Sequence, residues 1–153
     1  MTKTAPPATY DALERYLPYM VNRLSNLGQQ AQKRALSDSE VSLVDIRTLS
    51  ILNIEDGLTI NEIAERTFSE QSTTSRAVDA MAAQGLIERR IPKGDLRRRE
   101  IMMTPLGRKQ LEENWPVMED YFAALREGTT SEELATCQKV IVKMLENLSR
   151  LQK

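Results

Sequence analysis

Apolar positions recur at helical spacing over most of the chain. Leu13, Leu17, Met20, Leu24, Leu27 and Ala31 lie 4, 3, 4, 3 and 4 residues apart, one apolar stripe on a helix from about Thr9 to Ala35. Pro18 falls inside it, so the helix should kink there or truly begin there. Residues 1–8, with Pro6 and Pro7, read as a disordered arm. Ser37 to Glu40 has the spacing of a capping box. The helix behind it, to about Glu55, carries Val41, Leu43, Val44, Ile46, Leu49, Ile51, Leu52 and Ile54 around most of its circumference. Such a helix belongs at the centre of a domain.

The next segments are shorter. A second capping box, Thr59 to Glu62, opens a helix over Ile60–Arg66, with Ile60, Ile63 and Ala64 facing inward. Thr67 and Phe68 make a turn. Ser69 can cap a helix over about 70–84, with Thr74, Ala77, Val78 and Met81 on its inner face and Gly85 at its end. Ile87–Ile91 and Arg99–Met103 flank a Pro-Lys-Gly-Asp cluster and predict a hairpin, with Ile87 and Ile91 on one face and Ile101 and Met103 on another. Thr104-Pro105 is a strong helix start. That helix runs to about Glu127 through Pro116, and Gly128 stops it. After a third capping box, Thr130 to Glu133, Leu134, Cys137, Ile141, Met144, Leu148 and Leu151 are spaced 3, 4, 3, 4 and 3 apart, a coiled-coil-like seam. The fold class is mainly α, six helices with one β-hairpin.

Length and composition narrow the function. The 153 residues suit one domain with an appended helical element, and 41% apolar residues permit a true core. No apolar run approaches the ~20 residues of a membrane helix. Residues 1–8 lack the pattern of a secretion signal, and Cys137 is the single cysteine. A cytoplasmic location with no membrane partner is expected. The chain has no histidine, which removes the commonest general base and zinc ligand together. No cofactor and no metal are expected. Carboxylates such as Asp45 and Glu55 keep a small enzyme as one alternative, although no distinctive paired-acid spacing supports it.

Charge adds a sharper point. The net charge is −1, but residues 66–109 carry 10 basic and 5 acidic side chains, net +5. Residues 1–65 and 110–153 are each net −3, with 6 against 9 and 5 against 8. Nucleic-acid attraction depends on the local patch.

The basic middle contains the helix-turn-helix candidate at 60–84. The outer face of its second helix is Gln71, Ser72, Thr73, Ser75, Arg76 and Asp79. A face kept only for solubility prefers Glu and Lys. Short hydroxyls allow close approach to DNA, and Gln and Arg make bidentate contacts to adenine and guanine. The alternative is a cap region rich in hydroxyls. In the hairpin, Asp95 precedes Leu96 and the run Arg97-Arg98-Arg99. Arginine at a hairpin tip suits the narrow minor groove; it also protects exposed strand edges.

These motifs resemble the MarR family of bacterial regulators. The resemblance is carried by Leu58-Thr59-Ile60-x-x-Ile63-Ala64, Thr73-Thr74-Ser75-Arg76-Ala77-Val78-Asp79-x-Met81, Gly85-Leu86-Ile87-x-Arg89, Asp95-x-Arg97 and Thr104-x-x-Gly107. Met81 and Met103 stand where the family usually has Leu, swaps that cost under ~1.5 kcal/mol. The resemblance implies a winged helix-turn-helix lobe over 37–109 and dimerisation helices over 9–36 and 110–153. It implies a homodimer that reads a pseudo-palindromic double-stranded DNA operator, represses transcription and is released by a small effector. Ser69, Gln71, Ser72, Thr73, Ser75, Arg76, Asp95, Arg97 and Arg98 are the expected DNA-binding residues, with Arg97 in the minor groove and Asp95 buttressing the wing.

A ligand pocket is implied on Tyr16, Tyr19, Met20, Arg23, Arg47, Trp115 and Tyr121. Arginine among aromatics suits a small aromatic or anionic effector, although packing and snorkelling account for such residues equally. Cys137, on the apolar seam, reads as a buried, inert thiol. The remaining alternative is a winged-helix module that binds protein and not DNA.

Overall fold

The helical stripe at the N-terminus does not form one helix. The computed structural model, which describes residues 5–92, 94 and 98–151, breaks it into α1 (Tyr10–Glu14) and α2 (Leu17–Ala35). Pro18 is the cause. Its ring would clash with the carbonyl four residues back, so the helix restarts with proline in its first turn. There are thus seven helices among the described residues, where six were expected: α3 (Leu43–Ile54), α4 (Ile60–Thr67), α5 (Gln71–Ala83), α6 (Pro105–Leu125) and α7 (Ser131–Leu151) complete the set. Strands β1 (Ile87–Arg90) and β2 (Glu100–Met103) pair antiparallel, Ile87 opposite Met103 and Arg90 opposite Glu100.

The start of α3 also differs from expectation. Ser37–Glu40 is not a capping box; the box is Ser42 with Asp45. Asp45 Oδ2 accepts from the Ser42 amide at 2.7 Å, and Ser42 Oγ accepts from the Asp45 amide at 3.3 Å. Ser39 is committed elsewhere, donating to Asn114 Oδ1 at 2.6 Å and accepting from the Val41 amide at 3.2 Å. Val41 precedes the cap, and Ile46 lies one turn into the helix. Both are buried, in the arrangement of a hydrophobic staple. Burial of Leu36 and Val41 together requires the chain to turn over 36–42 before helix resumes.

Two compact units divide after Met118. The first holds the core: Leu43, Ile46, Leu49 and Leu52 of α3 meet Ile63 of α4, Val78 and Met81 of α5, Leu86, Ile87, Ile101 and Leu111. Leu49, Ile63, Val78, Met81 and Ile101 are wholly buried. Ile54 and Val44, expected inside, are exposed, because α3 turns one flank out of the core. Ile91, expected beside Ile87, is also exposed; β1 ends at Arg90, before its side chain reaches the core.

The second unit comprises the end of α6 and α7. Gly128, with φ +77°, allows the turn between them. Thr130 and Glu133 form the predicted capping box, with Glu133 Oε2 accepting from the Thr130 amide at 2.8 Å. No residue of α7 is buried. Cys137 is exposed, which corrects the expectation of a buried thiol: the seam it lies on has no cover within this unit. No described helix is long and apolar enough to cross a membrane.

Candidate nucleic-acid interface

The α4–α5 pair is built by local rules and then locked by the core. Thr59 caps α4 and forms the predicted box with Glu62. Phe68 ends α4 in the left-handed region, φ 52°, with its ring in solvent. Ser69 does not cap α5. Glu70 holds the cap position without a side-chain cap bond, and Ser69 Oγ instead donates to the Thr67 carbonyl at 3.4 Å. Thr74, Val78 and Met81 pin α5 from beneath. That face fixes the rotation of the helix, so Ser69, Gln71, Ser72, Thr73 and Arg76 are all exposed and Ser75 is half-buried.

Arg89 of β1 pairs with Asp79 of α5, a tie between the hairpin and the exposed helix. The hairpin is joined to the preceding loop as well. Gly57 N–H donates to the Ile101 carbonyl at 3.1 Å, and Ile101 N–H to the Leu58 carbonyl at 2.7 Å. The Met103 amide donates to Asp56 Oδ1 at 2.9 Å. Asp95 and Arg97 lie outside the described residues.

Arg98, expected to reach toward DNA, is folded back on the lobe. Its Nη2 lies 3.2 Å from Glu62 Oε2 and 3.3 Å from the Gly57 carbonyl, and its Nε lies 3.2 Å from Glu100 Oε1. Glu62 is held below the usual carboxylate range, first by the Thr59 amide and hydroxyl that it accepts from and then by the positive charge of Arg98.

A cleft of about 790 Å³ opens in the same unit. Ser25, Gln29 and Gln32 of α2, Arg47 and Ser50 of α3, Arg66–Ser69 of the helix-turn-helix, and Trp115 and Met118 of α6 line it. Of the pocket residues expected from sequence, Arg47 and Trp115 are there. Arg47 Nη2 donates to Gln32 Oε1 at 3.4 Å. Tyr16, Tyr19 and Met20 are exposed on or beside α2 and do not line this cleft. Arg23 pairs with Glu14 instead. Tyr121 belongs to the second unit. Gln29, Gln32 and Arg66, which carry no motif of their own, line the cleft as well. Arg66 is drawn further toward its charged form, chiefly by its hydrogen bond with Glu55, 2.6 Å away.

Residues 39–98 match the sequence model of the MarR family. A MarR family transcriptional regulator from Silicibacter pomeroyi DSS is 30% identical, over 97% of this chain and 99% of that one, with a TM-score of 0.84. This chain belongs to the MarR family. YsmB of Bacillus subtilis (strain 168), an uncharacterised HTH-type transcriptional regulator, is 28% identical over 93 residues. That match spans 61% of this chain and 64% of YsmB, just under two thirds of its length. MepR of S. aureus, solved as a complex with DNA, shares the fold with a TM-score of 0.78 at 24% identity, over 92% of this chain and 99% of that one.

As a MarR family member the chain is a transcriptional regulator and not an enzyme. The two carboxylates that kept the enzymatic alternative open have structural partners. Asp45 caps α3, and Glu55 pairs with Arg66.

Proposed function

We propose that this MarR family regulator is a homodimer that binds a pseudo-palindromic duplex and represses transcription until a small acidic effector releases it. The observation that carries this reading is the exposed face of α5. Gln71, Ser72, Thr73 and Arg76 stand in solvent while Thr74, Val78 and Met81 anchor the opposite side. A rigid helix with short polar side chains and one arginine fits the major groove, with Arg76 and Gln71 on base edges and the hydroxyls, Ser75 and Ser69 included, on phosphates. The Glu70 side chain makes no cap bond at the start of α5, so the Gln71 and Ser72 amides, ahead of those that bond the Glu70 carbonyl, are the ones offered to a phosphate. Arg97 is proposed for the minor groove, supported by Asp95. MepR, of the same fold, was solved with DNA.

Dimerisation is supported by apolar surface without cover. Ile141, Leu145 and Leu148 on α7, and Val21, Leu24 and Leu27 on α2, are about half exposed. A helical seam of this length is costly in water and calls for a partner helix. Two-fold symmetry would then place half-sites roughly 34 Å apart. The effector is assigned to the cleft that Arg47, Arg66 and Trp115 line. The Arg47 guanidinium, which bonds the neutral Gln32, beside an indole favours a small aromatic acid.

The test is selection from a randomised duplex pool at about 150 mM salt, where specific complexes survive and loose ones do not. Enrichment of one inverted repeat is expected. Failure to enrich, with no salt-dependent retention at about 50 mM, overturns the DNA-binding reading in favour of a protein-binding winged helix.

A further inference from the structure

We propose that Arg98 is a positioning residue that clamps the base of the hairpin to the N-terminus of α4, so that wing and helix-turn-helix meet DNA as one body; this rests on the DNA-binding reading above. Oxygen Oε2 of Glu62 is the centre of the clamp. It accepts from the Thr59 amide at 2.7 Å and the Thr59 hydroxyl at 2.8 Å, closing the α4 cap. It also accepts from Arg98 Nη2 at 3.2 Å. The same guanidinium bonds the Gly57 carbonyl and Glu100 of β2. One side chain therefore touches the start of α4, the loop before it and the returning strand. The neighbouring backbone already runs as a third strand edge, with Leu58 bridged to Ile101. Arg98 and Glu62 are both half-buried, where a charge-assisted pair is less screened than on an open surface.

A clamp and a direct phosphate contact predict opposite signs for one substitution. Glu62→Gln keeps the cap, because Gln serves at that position of a capping box as Glu does, but it removes the carboxylate charge that ties Arg98 to α4 and leaves only the Glu100 pair on the hairpin side. If Arg98 bound phosphate, freeing it and deleting a nearby negative charge would tighten DNA binding. If Arg98 is a clamp, Glu62→Gln weakens binding to the selected duplex by about threefold to tenfold, as Arg98→Ala does. The double variant should then bind no worse than either single one.

The experiment pairs that affinity measurement with amide hydrogen exchange on the protein alone. Exchange at Gly57 and Ile101, whose N–H groups cross the junction, should quicken in Glu62→Gln, while exchange at Leu49 and Leu52 in the core stays as in the wild type. Arg98→Ala should quicken the same two amides, and Arg98→Lys should keep part of the protection that Arg98→Ala loses. Unchanged exchange at Gly57 and Ile101, or tighter DNA binding by Glu62→Gln, overturns the clamp. If the wild-type protein binds no duplex, the DNA-binding reading fails by itself, and the exchange arm still decides whether Arg98 holds the junction.

Discussion

Gly107, in the first turn of α6, lies so close to the carbonyl oxygen of Leu86 that a methyl group on it would overlap that oxygen. Leu49 Cδ2 would stand 3.1 Å from the same methyl. The approach is drawn tight by Thr104, the cap of α6. Its hydroxyl donates to the Gly85 carbonyl at 2.7 Å and accepts from the Gly107 amide at 3.0 Å. The end of the hairpin, the end of the α5 segment and the start of α6 thus meet at one glycine.

Gly107→Ala is expected to destabilise the fold by about 1–3 kcal/mol, the cost of overpacking against backbone that cannot move aside. Helix propensity alone would change stability by about 1 kcal/mol in the opposite direction. Urea unfolding read by circular dichroism decides between them; a stabilised variant would refute the close approach.

Arg76→Ala should cost about 1–3 kcal/mol of binding to the preferred duplex and relax preference at one base pair of each half-site. Arg97→Ala should weaken binding across sequences and lower the slope of log affinity against log salt by about 1 per subunit. Fluorescence anisotropy over a salt series separates the two. An unchanged slope in Arg97→Ala would take the wing out of the interface.

Glu62 makes part of the stability dependent on pH. Its folded-state pKa is lowered from 4.5, first by the Thr59 bonds, so its contribution is complete above that value and is lost as pH falls through the lowered one. The melting-temperature gap between wild type and Glu62→Gln should therefore be constant near neutrality and close below about pH 4.5. Glu133, lowered in the same direction, is present in both proteins and cancels. A gap that widens in acid would contradict the assignment.

Ile141→Glu combined with Leu148→Glu should convert the proposed dimer to monomer at micromolar concentration, since each charge would be buried without a partner in the seam. Sedimentation velocity reads the outcome directly. A wild-type protein already monomeric under those conditions would refute the dimer.

Trp115 is the chain's single tryptophan and lines the cleft, so its fluorescence reports occupancy. Titration with benzoate or salicylate as probes should quench or shift the emission, and Arg47→Ala should weaken that binding by about tenfold, the loss of one charge-assisted contact. A response identical in the variant would move the site away from Arg47.

Contacts between near neighbours were legible from sequence. The Thr59 and Thr130 boxes, the Thr104 cap and the effect of Pro18 all depend on groups within four residues, and the inner face of α5 follows from its period. At the start of α3 two serine-acid pairs compete, Ser37 with Glu40 and Ser42 with Asp45. Local spacing allows both; burial of Val41 and the Ser39–Asn114 bond select the second.

The chain alone determined the starts of α4, α6 and α7, which face of α5 is polar, and that the middle third is basic, because capping, periodicity and charge are properties of short segments. Only the tertiary structure decided that Arg98 is held against the lobe. In the sequence Arg98 is one of three adjacent arginines, yet Glu62, 36 positions away in the chain, captures it. It likewise drew Arg47, Arg66 and Trp115 around one cleft. Those outcomes depend on how distant segments pack around Leu49 and Ile101, and packing between segments has no period to read.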